Sequence, residues 1–193
     1  MSSSIVAFKD SALSAVGRTV VNFQRLEHNL KIAARLGPLE GVFAKVQRDL
    51  ERRIDKASSF TLGQAIDAWL RAMKGEGSPV CPTPDLFDPT MRLEFSLVED
   101  SESSATRAES LKRLLELRNR LIHGGLGNFE WESQVECDRL VEELTHLNEE
   151  IASQIDFVAA AVRSLRSDFA AIIESTADDK SIFVTRLSRD SQE

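Results

Sequence analysis

The chain has 193 residues, of which 42% are hydrophobic and 28% charged, with a net charge of −7; such a composition suits one soluble globular domain with a real core. Cys81 and Cys137 are too far apart in sequence for a metal-ligand or redox motif and suit a reducing cytoplasm, Met1-Ser2-Ser3-Ser4 lacks the charged and apolar regions of a secretory signal, and no apolar run approaches the roughly 20 residues that span a bilayer. The charge is uneven: residues 130–193 carry 15 acidic and six basic side chains, which leaves residues 1–129 with 16 acidic and 18 basic, so a polyanion would meet the first two-thirds.

Residues 7–36 read as a first long helix, because Val16, Val20, Phe23, Glu27, Leu30 and Ala34 recur at three and four. Gly37-Pro38 ends it, since proline disfavours helix in the residue before it. Glu27 takes a seam position between Phe23 and Leu30. A carboxylate buried there needs a cation or a hydrogen-bond partner; alternatively, Leu26 holds the core and Glu27 turns to solvent. Asn22 and His28 are expected at the surface. Residues 39–58 read as a second helix with Lys45, Arg48, Arg52 and Lys56 along one face, a solvated stripe or a contact for an RNA backbone. Ser59 or Thr61 is placed to cap a third helix that turns Ala65, Ile66, Trp69, Leu70 and Met73 inward before Gly75.

From Gly75 to Thr90 the helical pattern breaks. Prolines 79, 82, 84 and 89 sit with Gly75 and Gly77 in a loop or lid that no helix can cross. Leu93, Phe95 and Leu97 then alternate with Arg92, Glu94 and Ser96, as in a short strand, and residues 181–187 are β-like as a possible partner. The acidic, serine-rich run 99–104 is a linker or the start of the next helix.

That helix carries Leu111, Leu114, Leu115 and Ile122 on one side and ends in Leu117-Arg118-Asn119-Arg120-Leu121-Ile122-His123-Gly124-Gly125. Two bases, an amide and an imidazole occupy six consecutive residues. The paired glycines are free to take the left-handed conformation that ends many helices. Asn119 and His123 are four apart and share a face, with Arg118 beside Asn119. The carbonyl end of a helix favours a cation, so the protonated form of His123 is easy to reach there. A proton donor and acceptor beside permanent cations suits a phosphodiester. Residues 105–125 set Arg107, Lys112, Arg113, Arg118 and Arg120 against Glu109 and Glu116, a field that draws phosphate toward His123. Lys112 and Arg113 join Lys45, Arg48, Arg52 and Lys56 as RNA-binding candidates.

The longest helical pattern runs from Trp131 to Ile173. Cys137, Leu144, Ile151, Val158, Leu165 and Ile172 fall seven apart, flanked by Val141, Ile155, Val162 and Phe169, as in a packing seam for partner helices. Unbroken, such a helix measures roughly 65 Å at 1.5 Å per residue, against a diameter of about 40 Å for a compact domain of this length. It therefore kinks, near Gln154 or Ala159-Ala160-Ala161, or packs its far half on a second subunit; the dimer is favoured.

Arg118-Asn119-Arg120-Leu121-Ile122-His123 resembles the signature of the HEPN superfamily, an arginine followed after four to six residues by histidine, often with asparagine after the arginine. The resemblance implies an all-α fold class, a HEPN-like helical bundle, here with a long C-terminal heptad helix and a small β-hairpin or strand pair. It also implies a homodimer that brings two copies of the motif into one cleft. Residues 1–175 would form the domain, with the loop or lid inserted at about 75–104, and 176–193 a tail or short strand. Many members are metal-independent endoribonucleases, frequently toxins of toxin–antitoxin pairs or antiviral defence effectors; others keep the fold as a binding or scaffold module. By the same resemblance Arg118, Asn119 and His123 are catalytic, Arg120 and Glu27 supporting, with Glu27 pairing to Arg118. The substrate would be RNA, no cofactor or metal would be needed, and an antitoxin or another defence-system protein is a possible partner. A second arginine–histidine match, Arg139 and His146, is discounted because Leu140 follows the arginine and Glu136, Asp138, Glu142 and Glu143 surround it. The chain has no phosphate-cradling glycine loop, dinucleotide fingerprint, zinc spacing or serine-nucleophile elbow.

Overall fold

A long amphipathic helix can bury its apolar stripe only against another element of comparable length, and here the two longest helices do this for each other. In the computed structural model, which describes residues 2–36, 39–74, 90–93 and 100–177, the chain is all-α with one small strand pair. Helix α1 spans Ser2–Ala33 and runs into a 3-10 turn, Ala34–Leu36; α2 spans Phe43–Ser58, α3 Leu62–Met73, α4 Ser101–His123 and α5 Gln134–Ala177. Strands β1, Leu39–Val42, and β2, Thr90–Leu93, pair antiparallel in the register Leu39↔Leu93 and Val42↔Thr90.

Helix α5 packs along α1. Lys9 pairs with Glu132 just before α5, and Asn22 hydrogen-bonds Asn148 further on, so the two helices advance in the same direction. Helix α4 runs the opposite way along α5: Arg113 meets Glu150, Ser110 meets Gln154, and the Arg107 guanidinium lies 3.2 Å over the ring centre of Phe157. The end of α4, the start of α5 and the first turns of α1 therefore lie at one end of the bundle.

The core collects at the other half. Phe23, Leu26, Leu30 and Ala33 of α1 pack with Leu62, Ala65, Ile66, Trp69 and Met73 of α3, Leu111 and Leu114 of α4, and Ile151, Val158, Ala161 and Val162 of α5. Burying each large apolar side chain fully contributes about 1.5–3 kcal/mol, so this cluster fixes α3 and α4 against the α1–α5 pair. Thr61 begins α3 with a capping box in which its hydroxyl accepts from Gln64 N and the Gln64 side chain accepts from Thr61 N. Asp100 caps α4, taking the Ser103 hydroxyl at 2.7 Å and the Ser103 N–H at 2.8 Å. These bonds hold its carboxyl below the usual carboxylate range. The stabilisation is present above the unfolded carboxylate's value and fades as pH falls through the folded one.

Several expectations shift. Residues 39–42 are strand rather than the first turn of α2: Gly41 weakens a helix, and pairing with β2 satisfies the backbone instead. Strand β2 pairs with β1; the β-like residues 181–187, residues 94–99 and the proline segment 75–89 lie outside the described residues. Residues 101–104 belong to α4 and not to an insertion, and α5 runs two residues past 175. It is continuous through Gln154 and Ala159-Ala160-Ala161, about 66 Å at 1.5 Å per residue. Its seam is buried at Cys137, Leu144, Ile151 and Val158, Leu165 is half-buried, and the side chain of Ile172 lies outside the described residues. Burial pushes the Cys137 thiol upward, away from the reactive thiolate.

The α1 seam is rotated from the expected one. Ala12, Thr19, Phe23, Leu26, Leu30 and Ala33 are buried, while Val16, Val20, Glu27 and Ala34 lie at its edge. Fully buried Thr19 needs partners, and it has them: its hydroxyl donates to Ala15 O at 2.9 Å and accepts from Asn148 Nδ2 at 2.9 Å, while Asn148 Oδ1 accepts from Asn22 Nδ2 at 2.8 Å. Asn22 is thus a half-buried interhelical residue, not a surface one; His28 is exposed as expected. Replacing Asn148 by alanine leaves Asn22 Nδ2 without its partner and removes the donor to Thr19, whose hydroxyl keeps its bond to Ala15 O, at about 1–3 kcal/mol for a buried unsatisfied group. Urea denaturation of Asn148→Ala should show that loss; a midpoint equal to wild type would mean the network contributes nothing.

Candidate functional site

Helix α4 places its last side chains by their angles about the axis, roughly 100° per residue. Arg118 follows Leu111, Leu114 and Leu115 by seven, four and three residues, so it continues the side of α4 that carries the buried Leu111 and Leu114, and it is half-buried. Asn119 and His123 lie on the neighbouring side and are exposed, as is Arg120. His123 stands five positions after Arg118, an angle of about 140°.

The helix ends by a close backbone return. Both Gly124 N and Gly125 N donate to Arg120 O, at 3.2 and 2.7 Å. Gly124 has φ −176°, an extended value open to any residue, so the left-handed termination expected from the paired glycines does not occur. Glycine is required at 125 for a different reason. A Cβ there would stand 2.9 Å from Arg120 O, closer than side chains come to backbone.

The absence of side chains at 124 and 125 leaves an open concavity of about 650 Å³, lined by Asn119, Arg120, His123, Gly124 and Gly125. Arg118 does not line it. Its Nη1 donates to Asn119 Oδ1 at 3.1 Å, which uses the amide oxygen and leaves Asn119 Nδ2 as the group's donor. The concavity thus gathers an amide N–H₂, a guanidinium and an imidazole at a helix end, a donor set matched to a phosphate. The loop after it, residues 124–133, is fastened by Phe129 and Trp131, whose rings meet edge to face at 4.7 Å, and by the Lys9–Glu132 ion pair.

The remaining residues expected at a site are dispersed. Glu27 pairs with Lys31 one turn on, at 2.8 Å, and not with Arg118. The rotated α1 seam gives the core position to Leu26 and leaves Glu27 half-buried at its edge. A pair of this i,i+4 kind is worth about 0.3–0.5 kcal/mol. Arg48, Arg52 and Lys56 are exposed on α2, which packs on α1, the 3-10 turn and β1; none lines the concavity, and the side chain of Lys45 lies outside the described residues. Lys112 is exposed, whereas Arg113 is engaged by Glu150. Among the described residues no group of three or more His, Cys, Asp or Glu is placed to hold a metal ion, and no helix is long and apolar enough to cross a membrane.

The second arginine–histidine match is neutralised on both sides. Arg139 pairs with Glu136 and Glu143, and His146 Nδ1 lies 3.5 Å from Glu149 Oε2. Sequence reasoning missed the Thr19–Asn22–Asn148 network, although a signal was present. Asn148 occupies the flanking row Val141, Ile155, Val162 at the one step where an apolar residue is missing.

No family model matches the chain, and neither a curated protein nor a solved structure matches it.

Proposed function

We propose that the chain is a metal-independent endoribonuclease of HEPN type, a bacterial toxin or anti-phage defence effector that cleaves tRNA or mRNA in the cytoplasm. The observation that supports this reading is the shared lining of one open concavity by Asn119, Arg120 and His123, beside a helix whose last turns are basic. An RNA strand carries its own nucleophile. His123 would take the proton of a ribose 2′-OH as its oxygen attacks phosphorus, and the 5′-oxygen would leave with a proton from the partner copy's imidazole. A guanidinium would offset charge on the non-bridging oxygens, the role that the resemblance gives Arg118. The products would be a 2′,3′-cyclic phosphate and a 5′-hydroxyl.

A second copy of the chain is part of this reading. Val6, Leu13 and Val21 on α1, Ile122 within the motif and Val135 at the start of α5 are all exposed, Val135 by 75%. All but Val21 lie toward the end of the bundle that holds His123, where α1 and α5 extend past the core, so a partner packed there would bring two motifs together. The competing reading, a non-catalytic helical interaction or scaffold module, rests on those same apolar residues and needs no chemistry at His123.

Purified protein incubated with total RNA or tRNA in EDTA should cleave it, and His123→Ala should lower the rate by about 10²–10⁴, the usual loss of a general acid or base. His146→Ala should change little, since its carboxylate neighbours repel phosphate. Loss of cleavage in His146→Ala alone would mean the wrong histidine, and RNA left intact by the wild type would leave the interaction module. Light scattering should give twice the chain mass of 21.5 kDa; a monomer at micromolar concentration would contradict the shared cleft.

A further inference from the structure

Resting on the ribonuclease reading, we infer that Arg120, and not Arg118, is the cation that binds the phosphate beside His123, and that Arg118 is a positioning residue acting through Asn119. Three observations carry this. Arg120 lines the concavity with Asn119 and His123, and Arg118 does not. Arg118 is half-buried in line with Leu111 and Leu114, whereas Arg120 is exposed. The Arg118 Nη1 bond to Asn119 Oδ1 fixes which end of the amide is free, so Nδ2 is the donor that Asn119 presents. An unrestrained amide could turn its oxygen toward an anion and repel it; the guanidinium removes that option. A phosphate in the concavity thus receives donors from Arg120 and Asn119 Nδ2, beside the His123 imidazole. The glycine at 125 keeps the backbone close to Arg120 O and so holds the residue that carries the cation.

The two arginines separate in salt dependence. For single strands the slope of log affinity against log salt is about −0.7 per phosphate neutralised. Binding of a short fluorescein-labelled 2′-O-methyl oligoribonucleotide, which cannot be cleaved, is followed by anisotropy across a range of KCl for the full chain and its variants. Arg120→Ala should make the slope shallower by about 0.7 for each motif engaged, and Arg120→Lys should restore it. Arg118→Ala should weaken binding at the wild-type slope, and its effect should not multiply with that of Asn119→Ala, because both remove the same oriented amide. A shallower slope in Arg118→Ala, or an unchanged one in Arg120→Ala, overturns the assignment; exposed Arg120 can be truncated without disturbing the core, so that arm does not depend on folding. Wild type that binds the oligonucleotide but leaves RNA intact refutes the ribonuclease and leaves the slopes to judge the arginines. Wild type that binds nothing refutes both.

Discussion

The parallel packing of α1 on α5 is the constraint on which the rest depends. It is specified by shape and by polarity together. The apolar rows of Phe23, Leu26, Leu30, Ile151 and Val158 supply most of the burial, yet apolar rows seven residues apart tolerate sliding by a heptad. The Thr19–Asn22–Asn148 network does not tolerate it, because a slipped register would leave the two amides at the interface without partners. With that register set, α3 and α4 have one cluster to dock against. The motif at the end of α4 is then held at the end of the bundle where α1 and α5 outrun the core.

This arrangement decides which motif residues act together. A helix distributes six consecutive residues around its circumference, so the motif cannot present all of its polar groups to one ligand. Arg118 is committed to the side of α4 that carries the core leucines and Asn119 to its guanidinium, while Arg120 and His123 stand on the open side. The neighbouring charges reinforce the division. Glu150 engages Arg113, and the acidic first half of α5 engages both Arg139 and His146. Lys112, Arg120 and His123 remain exposed on α4.

The helical pattern was legible in the sequence because burial imposes periodicity. The α5 seam, the Thr61 cap and the inward set of α3 all follow from spacing and side-chain chemistry. What spacing could not give is rotation about an axis by a fraction of a turn. The α1 rows through Leu26 and through Glu27 differ by about 100°, and only the partner helix decides between them. Strand β1 was hidden for a related reason: four residues with one glycine carry too little pattern, and their state is set by a partner strand about 50 residues away in sequence. At the site, the grouping of Asn119 with His123 was readable as an i,i+4 pair. The exclusion of Arg118 from the concavity and the steric need for Gly125 both depend on tertiary packing and backbone closure.

The central claim is that the concavity at His123 directs a ribose hydroxyl onto its own phosphorus. An oligoribonucleotide that the protein cuts at one bond can be remade with a single 2′-deoxy sugar on the 5′ side of that bond. The account predicts that cleavage at that bond disappears while neighbouring bonds and binding are retained, since only the nucleophile has been removed. Cleavage of the substituted bond at the original rate would contradict it, because the attacking group would then be water or the protein.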